Sequence, residues 1–216
     1  MISRDTHIVF DLDDTLYKEI DFVKSAYIFI NNYVKKRMDV DVSLELEMCI
    51  NENINFFEFI NSKTTSQKKL SIEKYLELYR FHFPALSLSD DTKNFLNELI
   101  LRKIEFSILT DGRSISQRNK IHSLGIFDKA KNIIISEETG FEKPDLYNFK
   151  LIEHLQENKK FIYIGDNTSK DFIAPNNLNW DTICLLDNGQ NIHKQNFDLE
   201  DKFMPKNKIN NLSDLL

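Results

Sequence analysis

Phe10-Asp11-Leu12-Asp13-Asp14-Thr15-Leu16 continues the apolar run that begins at Ile8-Val9. Acidic residues are poor strand formers, and three carboxylates within four positions repel one another. A bound cation is the usual compensation for such crowding. Residues two apart on a strand share a face, so Asp11 and Asp13 address one site at the carboxyl end of a first strand. In open α/β sheets that end is where ligands bind.

Four further apolar runs read as strands covered on both faces: Phe106-Ser107-Ile108-Leu109, Ile133-Ile134-Ile135, Phe161-Ile162-Tyr163-Ile164 and Thr182-Ile183-Cys184-Leu185-Leu186. Helical periods lie between them. The first runs over 90–102, with Phe95, Leu96, Leu99 and Ile100 on one face and Ser89 or Asp90 as N-cap. Others cover 114–124, closed by Gly125, then 146–156 and 170–178. Strands alternating with helices predict an α/β fold, a Rossmann-like, doubly wound parallel sheet. Residues 17–86 break the rhythm with 3.6-period stretches over 22–37, 42–53 and 72–81 and no glycine. They read as an inserted α-helical domain, leaving 1–16 and 87–216 as the α/β core. The polar stretch 188–208 reads as loop, and 209–216 as a short helix packing through Leu212, Leu215 and Leu216.

Composition excludes several classes. The 216 residues carry a formal charge of −6, which argues against a nucleic-acid partner, since phosphate backbones demand basic excess. No run of apolar residues is long enough to span a membrane, and no signal peptide is evident, so a cytoplasmic location is expected. Cys49 and Cys184 form no paired motif and read as reduced thiols. The five histidines, His193 among them, show no metal-ligand spacing. The many aromatic residues of the insertion read as helix packing.

Three later segments end predicted strands with reactive groups. Thr110-Asp111-Gly112 offers a hydroxyl and backbone N–H groups beside a residue that permits close approach. Glu142-Lys143-Pro144-Asp145 presents a lysine ahead of a helix, and Gly165-Asp166-Asn167-Thr168-Ser169-Lys170-Asp171 supplies two more carboxylates. Each is weak alone; their order and shared placement at strand ends make them strong together.

With the first segment, these resemble the four motifs of the haloacid dehalogenase superfamily: DxDxT, a Thr or Ser after the second strand, Lys before Pro, and GDxxxxD. The resemblance covers 7–16 and about 87–190, and the insertion is similar in placement to the helical cap of many members. It implies a phosphatase acting on a small phosphorylated metabolite, a sugar phosphate or a nucleotide, through an aspartyl phosphate. Asp11 is then the nucleophile and Asp13 the general acid and base, with a pKa raised by neighbouring carboxylates. Thr110 and Lys143, helped by the Asp111 and Gly112 amides, are expected to hold the phosphoryl oxygens. Asp11, Asp166 and the Asp13 carbonyl are expected to bind the metal, with Asp171 supporting the metal shell or Lys143. An oxygen-only donor set favours Mg²⁺.

The chain departs from the pattern at three places. Many relatives carry Asn where Asp111 stands, the glycine usual after the fourth-motif helix is Asn179, and the second proline after Lys-Pro is missing. A phosphomutase would use the same two aspartates, and a non-catalytic phosphate- or partner-binding module could keep the fold. A dehalogenase is disfavoured because it lacks the carboxylate that Asp13 provides. The insertion is expected to act as a lid that reads the leaving group.

Overall fold

The computed structural model describes residues 2–157 and 159–216. The β-branched and aromatic runs all become strands: β1 (Thr6–Phe10), β2 (Phe106–Thr110), β3 (Ile133–Ile135), β4 (Lys160–Gly165) and β5 (Asp181–Leu185), joined by a sixth, β6 (Asn207–Ile209). All pairs are parallel, in the order β3-β2-β1-β4-β5-β6. The chain winds outward from β1 in both directions, so the order reverses between β1 and β4, where a doubly wound sheet opens a crevice at its carboxyl edge.

Helices on both faces account for the unbroken apolarity of the strands. They are α1 (Glu19–Met38), α2 (Leu46–Asn51), α3 (Phe56–Ser62), α4 (Ile72–Phe81), α5 (Asp90–Leu101), α6 (Ser114–Ser123), α7 (Ser136–Thr139), α8 (Tyr147–Leu155) and α9 (Ile173–Asn177). On one face Val9, Leu109, Tyr163 and Cys184 pack with Phe149 and Ile152 of α8 and with Trp180. On the other, Phe10 meets Phe95 of α5 and Phe106 edge-on. Ser89 caps α5 as expected, accepting from the Thr92 N–H at 3.1 Å. Asn179, where the family pattern has glycine, takes a left-handed conformation with φ of 59°, which Asn tolerates.

The chain separates into two compact units, Met1–Glu19 with Ser87–Leu216 and, apart from these, Ile20–Leu86. The second is all helical. Its core gathers Ile30, Val34, Phe56, Ile60 and Tyr75. Its aromatic residues pack on one another, Tyr27 stacking on Phe56 at 4.0 Å and Phe57 on Tyr75 at 5.0 Å between ring centres.

Several expectations need correction. The loop read over 188–208 contains the start of β6, whose Asn-Lys-Ile sequence carries no apolar run because two of its three side chains are exposed. Ile100 is exposed rather than on the buried face of α5. The helix expected over 170–178 is only Ile173–Asn177, because the Lys170 and Asp171 amides turn back onto the Asn167 carbonyl. At the C-terminus a 3₁₀ turn (Leu212–Leu215) replaces the expected helix over 209–216; Leu212 is buried and Leu216 exposed. Among the described residues no helix is long and apolar enough to cross a membrane.

Candidate active site

β1, β2 and β4 lie side by side, so whatever follows their carboxyl ends converges. Asp11 follows β1, Thr110 ends β2 and Asp166 follows β4. They line one cavity of 120 Å³ together with Asp13, Asp14, Glu19, Asp111, Asn167, Lys170 and His193.

Lys143 lies behind Asp11. The ammonium lies 2.7 Å from Asp11 Oδ1, 2.7 Å from Asp171 Oδ1 and 3.0 Å from the Tyr163 hydroxyl. Burial alone would lower its pKa, but the Asp11 and Asp171 carboxylates override this and hold it well above the ordinary lysine value. Asp171 is fully buried and fully engaged. Its Oδ1 also accepts from the Tyr163 hydroxyl at 3.2 Å, and its Oδ2 takes the Asp166 and Asn167 amides at 3.2 and 2.8 Å. A Cβ on Gly165 would stand 2.5 Å from that Oδ2, so the position requires glycine.

Carboxylate oxygens of Asp11, Asp166 and Asp171 all lie within 4.8 Å of one another. Burial, then the charges of Asp11, Asp171 and Asp14, push the Asp166 carboxyl up to about 9. Burial also raises Asp11, with Lys143 opposing and Asp171 adding to the rise. One lysine cannot balance three buried carboxylates. An oxygen-only cluster short of positive charge fits a hard divalent cation such as Mg²⁺. The Asp13 side chain is not one of the three.

Asp13 overturns one expectation. Its carboxylate accepts from Lys120 Nζ at 2.8 and 3.0 Å, from Gln117 Nε2 at 3.0 Å and from the Tyr17 hydroxyl. Burial pushes its pKa up, but Lys120 and these hydrogen bonds outweigh burial, and the net shift is downward, not toward neutrality. The neighbouring carboxylates do not set this group; a buried lysine does. Gly112 differs too. Its N–H, expected to face a phosphoryl oxygen, is donated to Ser136 Oγ at 3.0 Å. Thr110 ends β2 and lines the cavity. Gln117 donates to its Oγ1 at 2.5 Å, so the hydroxyl proton points elsewhere.

Gln117 and Lys120 carry no role in the motif reading, yet a signal exists. They lie three apart on α6, one face of a helix, and the buried residues of that helix are Ser116, Gln117, Lys120 and a single aliphatic, Ile121. A polar stripe where an apolar one is expected marks a functional face. Asp14, φ 56°, binds the amides of Glu19 and Ile192 at 2.9 Å each. It thereby ties the start of α1 to the loop after β5. That loop also places Asn191 Nδ2 2.9 Å from Asp166 Oδ2 and brings His193 to the cavity. Its sequence carries no motif.

Residues 8–185 match the haloacid dehalogenase-like hydrolase family. The chain belongs to that family. It is 27% identical to the glyceraldehyde 3-phosphate phosphatase of Methanocaldococcus jannaschii, over 97% of this chain and 94% of that protein. Its identity to the protein of the same name from Methanothermobacter thermautotrophicus is 23%, over 82% of this chain and 84% of that one. Among solved structures, the HAD-hydrolase YfnB of Bacillus subtilis, bound to magnesium, superposes with a TM-score of 0.63 at 18% identity, covering 99% of this chain and 97% of that one. The chain is thus a hydrolase on the fold that the four motif segments imply.

Proposed function

We propose that this hydrolase removes the phosphoryl group from a small phosphate monoester, with Mg²⁺ as cofactor and Asp11 as nucleophile. The observation that carries the reading is the pairing of Asp11 with Lys143 at 2.7 Å beside a second carboxylate, Asp13, on the same strand end. Asp11 and Asp166, with the Asp13 carbonyl, would hold the ion, and Asp171 would fix Lys143 behind them. The charge of a bound Mg²⁺ would offset the repulsion between the Asp11 carboxylate and an anionic phosphoryl group.

The chain's own residues then divide the work. Asp11 attacks phosphorus, the bond to the leaving oxygen breaks, and that oxygen takes a proton from Asp13. Water, deprotonated by Asp13, next attacks the aspartyl phosphate; the bond from phosphorus to Asp11 breaks and phosphate departs. Asp13 as it stands, ionised against Lys120, is in the form suited to the second step. Serving the first requires that it take up a proton and loosen from Lys120. Thr110 donates its hydroxyl to the phosphoryl group, and Lys143 supplies fixed positive charge.

The likeness to glyceraldehyde 3-phosphate phosphatases supports a short phosphorylated sugar or aldehyde as substrate, with nucleotides the second class to try. We read residues 17–86 as the cap that sets leaving-group preference; replacing them by a short loop should change selectivity more than rate. Phosphate release from triose phosphates, larger sugar phosphates and nucleoside monophosphates, with Mg²⁺ or chelator, tests the main reading. Release that is Mg²⁺-dependent and lost in Asp11→Asn is expected. No release from any of them, or release that survives chelation, rejects it.

A further inference from the structure

Six of the side chains lining the cavity are carboxylates, and the one ammonium among the described lining residues is Lys170. One of those carboxylates, Asp111, adjoins Thr110, on the side where the phosphoryl group is read to sit. Asp11 and Asp13 already have their cations, Lys143 and Lys120, so an anion there meets in Asp111 a further carboxylate that needs its own. Lys170 Nζ lies 2.9 Å from Asp111 Oδ2, with the lysine side chain one-third exposed and the aspartate 13% exposed. The other Asp111 oxygen accepts the Lys143 N–H at 3.1 Å, and the Asp111 carbonyl accepts from Gln117 Nε2 at 3.1 Å. Asp111 therefore ties three parts of the site together: the lysine segment, α6 and the loop after β4. Its charge is not needed for the first two ties, because an amide oxygen could accept the Lys143 N–H and the tie to α6 is made by the backbone carbonyl.

We propose that Asp111 and Lys170 act as one charge-compensated unit, in which Lys170 is a positioning residue that neutralises Asp111 so that an anionic phosphoryl group can enter beside Thr110. This rests on the phosphatase reading above. Lys170 adjoins Asp171, whose own contacts fix the loop, so the ammonium is delivered to Asp111 by a backbone already held in place. The role is conditional on the acid: with an amide at position 111 the lysine becomes dispensable. A residue that merely braced the loop would not depend on that charge.

The test is a double-mutant cycle read by calorimetric binding of inorganic phosphate in Mg²⁺ and by steady-state kinetics on the best substrate. Lys170→Met should weaken phosphate binding and lower kcat/KM roughly 100-fold, since truncating one partner leaves the other charge buried and unpaired. Asp111→Asn alone should bind phosphate at least as tightly as the wild type. The Asp111→Asn/Lys170→Met protein should recover to within about 10-fold of wild type, the mark of coupling rather than addition. Lys170→Arg, which keeps the charge, should stay near wild type. A double variant no better than Lys170→Met overturns the proposal, as does weaker phosphate binding by Asp111→Asn, and the latter decides the matter even if Lys170→Met fails to fold. Wild-type protein that neither binds phosphate nor hydrolyses any monoester rejects the phosphatase reading itself, and this inference with it. Active wild type with an additive cycle rejects the inference alone.

Discussion

Lys143 Nζ stands 2.7 Å from Asp11 Oδ1, with the lysine side chain 1% and the aspartate side chain 8% exposed. A buried ion pair contributes little net stability when intact, but losing one partner strands a charge at a cost of about 3–5 kcal/mol. Here two carboxylates are stranded, because Asp171 shares the same ammonium. Lys143→Met should therefore lower unfolding free energy by about that amount and abolish turnover. Urea denaturation beside a rate measurement checks both; a variant of wild-type stability would mean that the carboxylates find other partners.

On the proposed mechanism Asp11 and Asp13 separate by the step each would serve. Asp11→Asn should give no phosphoenzyme with any substrate. Asp13→Asn should still accept the phosphoryl group from an aryl phosphate, whose leaving oxygen needs no proton, and then fail to release it. Acid-quenched mass spectrometry should show one phosphoryl group accumulating on Asp13→Asn and none on Asp11→Asn. Equal labelling of both would remove Asp11 as the nucleophile.

Asp166 gives a readout independent of rate. Its folded-state pKa is raised to about 9 from 3.8, so between these values the unfolded chain holds fewer protons than the native one. Metal-free stability should then fall as pH rises through that window. Mg²⁺ should reverse the loss by binding the native state alone. Asp166→Asn, an uncharged group in the same place, should flatten this contribution and lose the Mg²⁺-dependent rise in Tm. Melting curves from pH 5 to 9, with Mg²⁺ or chelator, decide it.

Gly165 owes its identity to Asp171 rather than to a turn. Gly165→Ala would set a Cβ 2.5 Å from Asp171 Oδ2 and 3.0 Å from the Tyr163 ring, and Asp171 must move. Since Asp171 fixes Lys143, the change should depress kcat on every substrate alike while leaving their ranking intact. A change of ranking would place Gly165 in substrate selection instead.

What could be read from the chain follows the range of the forces involved. Strands β1 to β5 announce themselves because covering both faces demands unbroken apolar runs, and the motif carboxylates because charge at a strand end has no structural use. β6 was hidden, since its pairing is made by backbone on β5 and its side chains are mostly exposed. Lys120 and Gln117 were hidden for another reason. Their partner Asp13 is more than 100 positions away, and only the fold reveals that α6 turns a polar stripe to it. The expectation of a raised Asp13 pKa failed on the same point, because spacing in the sequence shows adjacent carboxylates and not a lysine brought from afar.

His7 offers a test of the core away from the chemistry. It is fully buried in β1, with Nε2 2.8 Å from Ser107 Oγ and its ring against Phe161. Nδ1 has no hydrogen-bond partner among the described residues. Burial holds the imidazole near a pKa of about 4, with Glu105 opposing and Lys159 and Lys131 reinforcing the drop from 6.5. Between these values the unfolded chain binds more protons than the native one. The stability associated with a neutral His7 is therefore complete above pH 6.5 and drains away as pH falls toward 4, by up to about 3 kcal/mol at 1.36 kcal/mol per unit. Other carboxylates titrate over the same range, so the informative quantity is a difference. His7→Phe keeps the ring packing and removes the proton site. Relative to wild type it should gain stability steadily from pH 6.5 to pH 4 in urea denaturation. Parallel stability profiles for the two proteins would show that His7 is protonated in the fold and that the Ser107 contact, not burial, governs it.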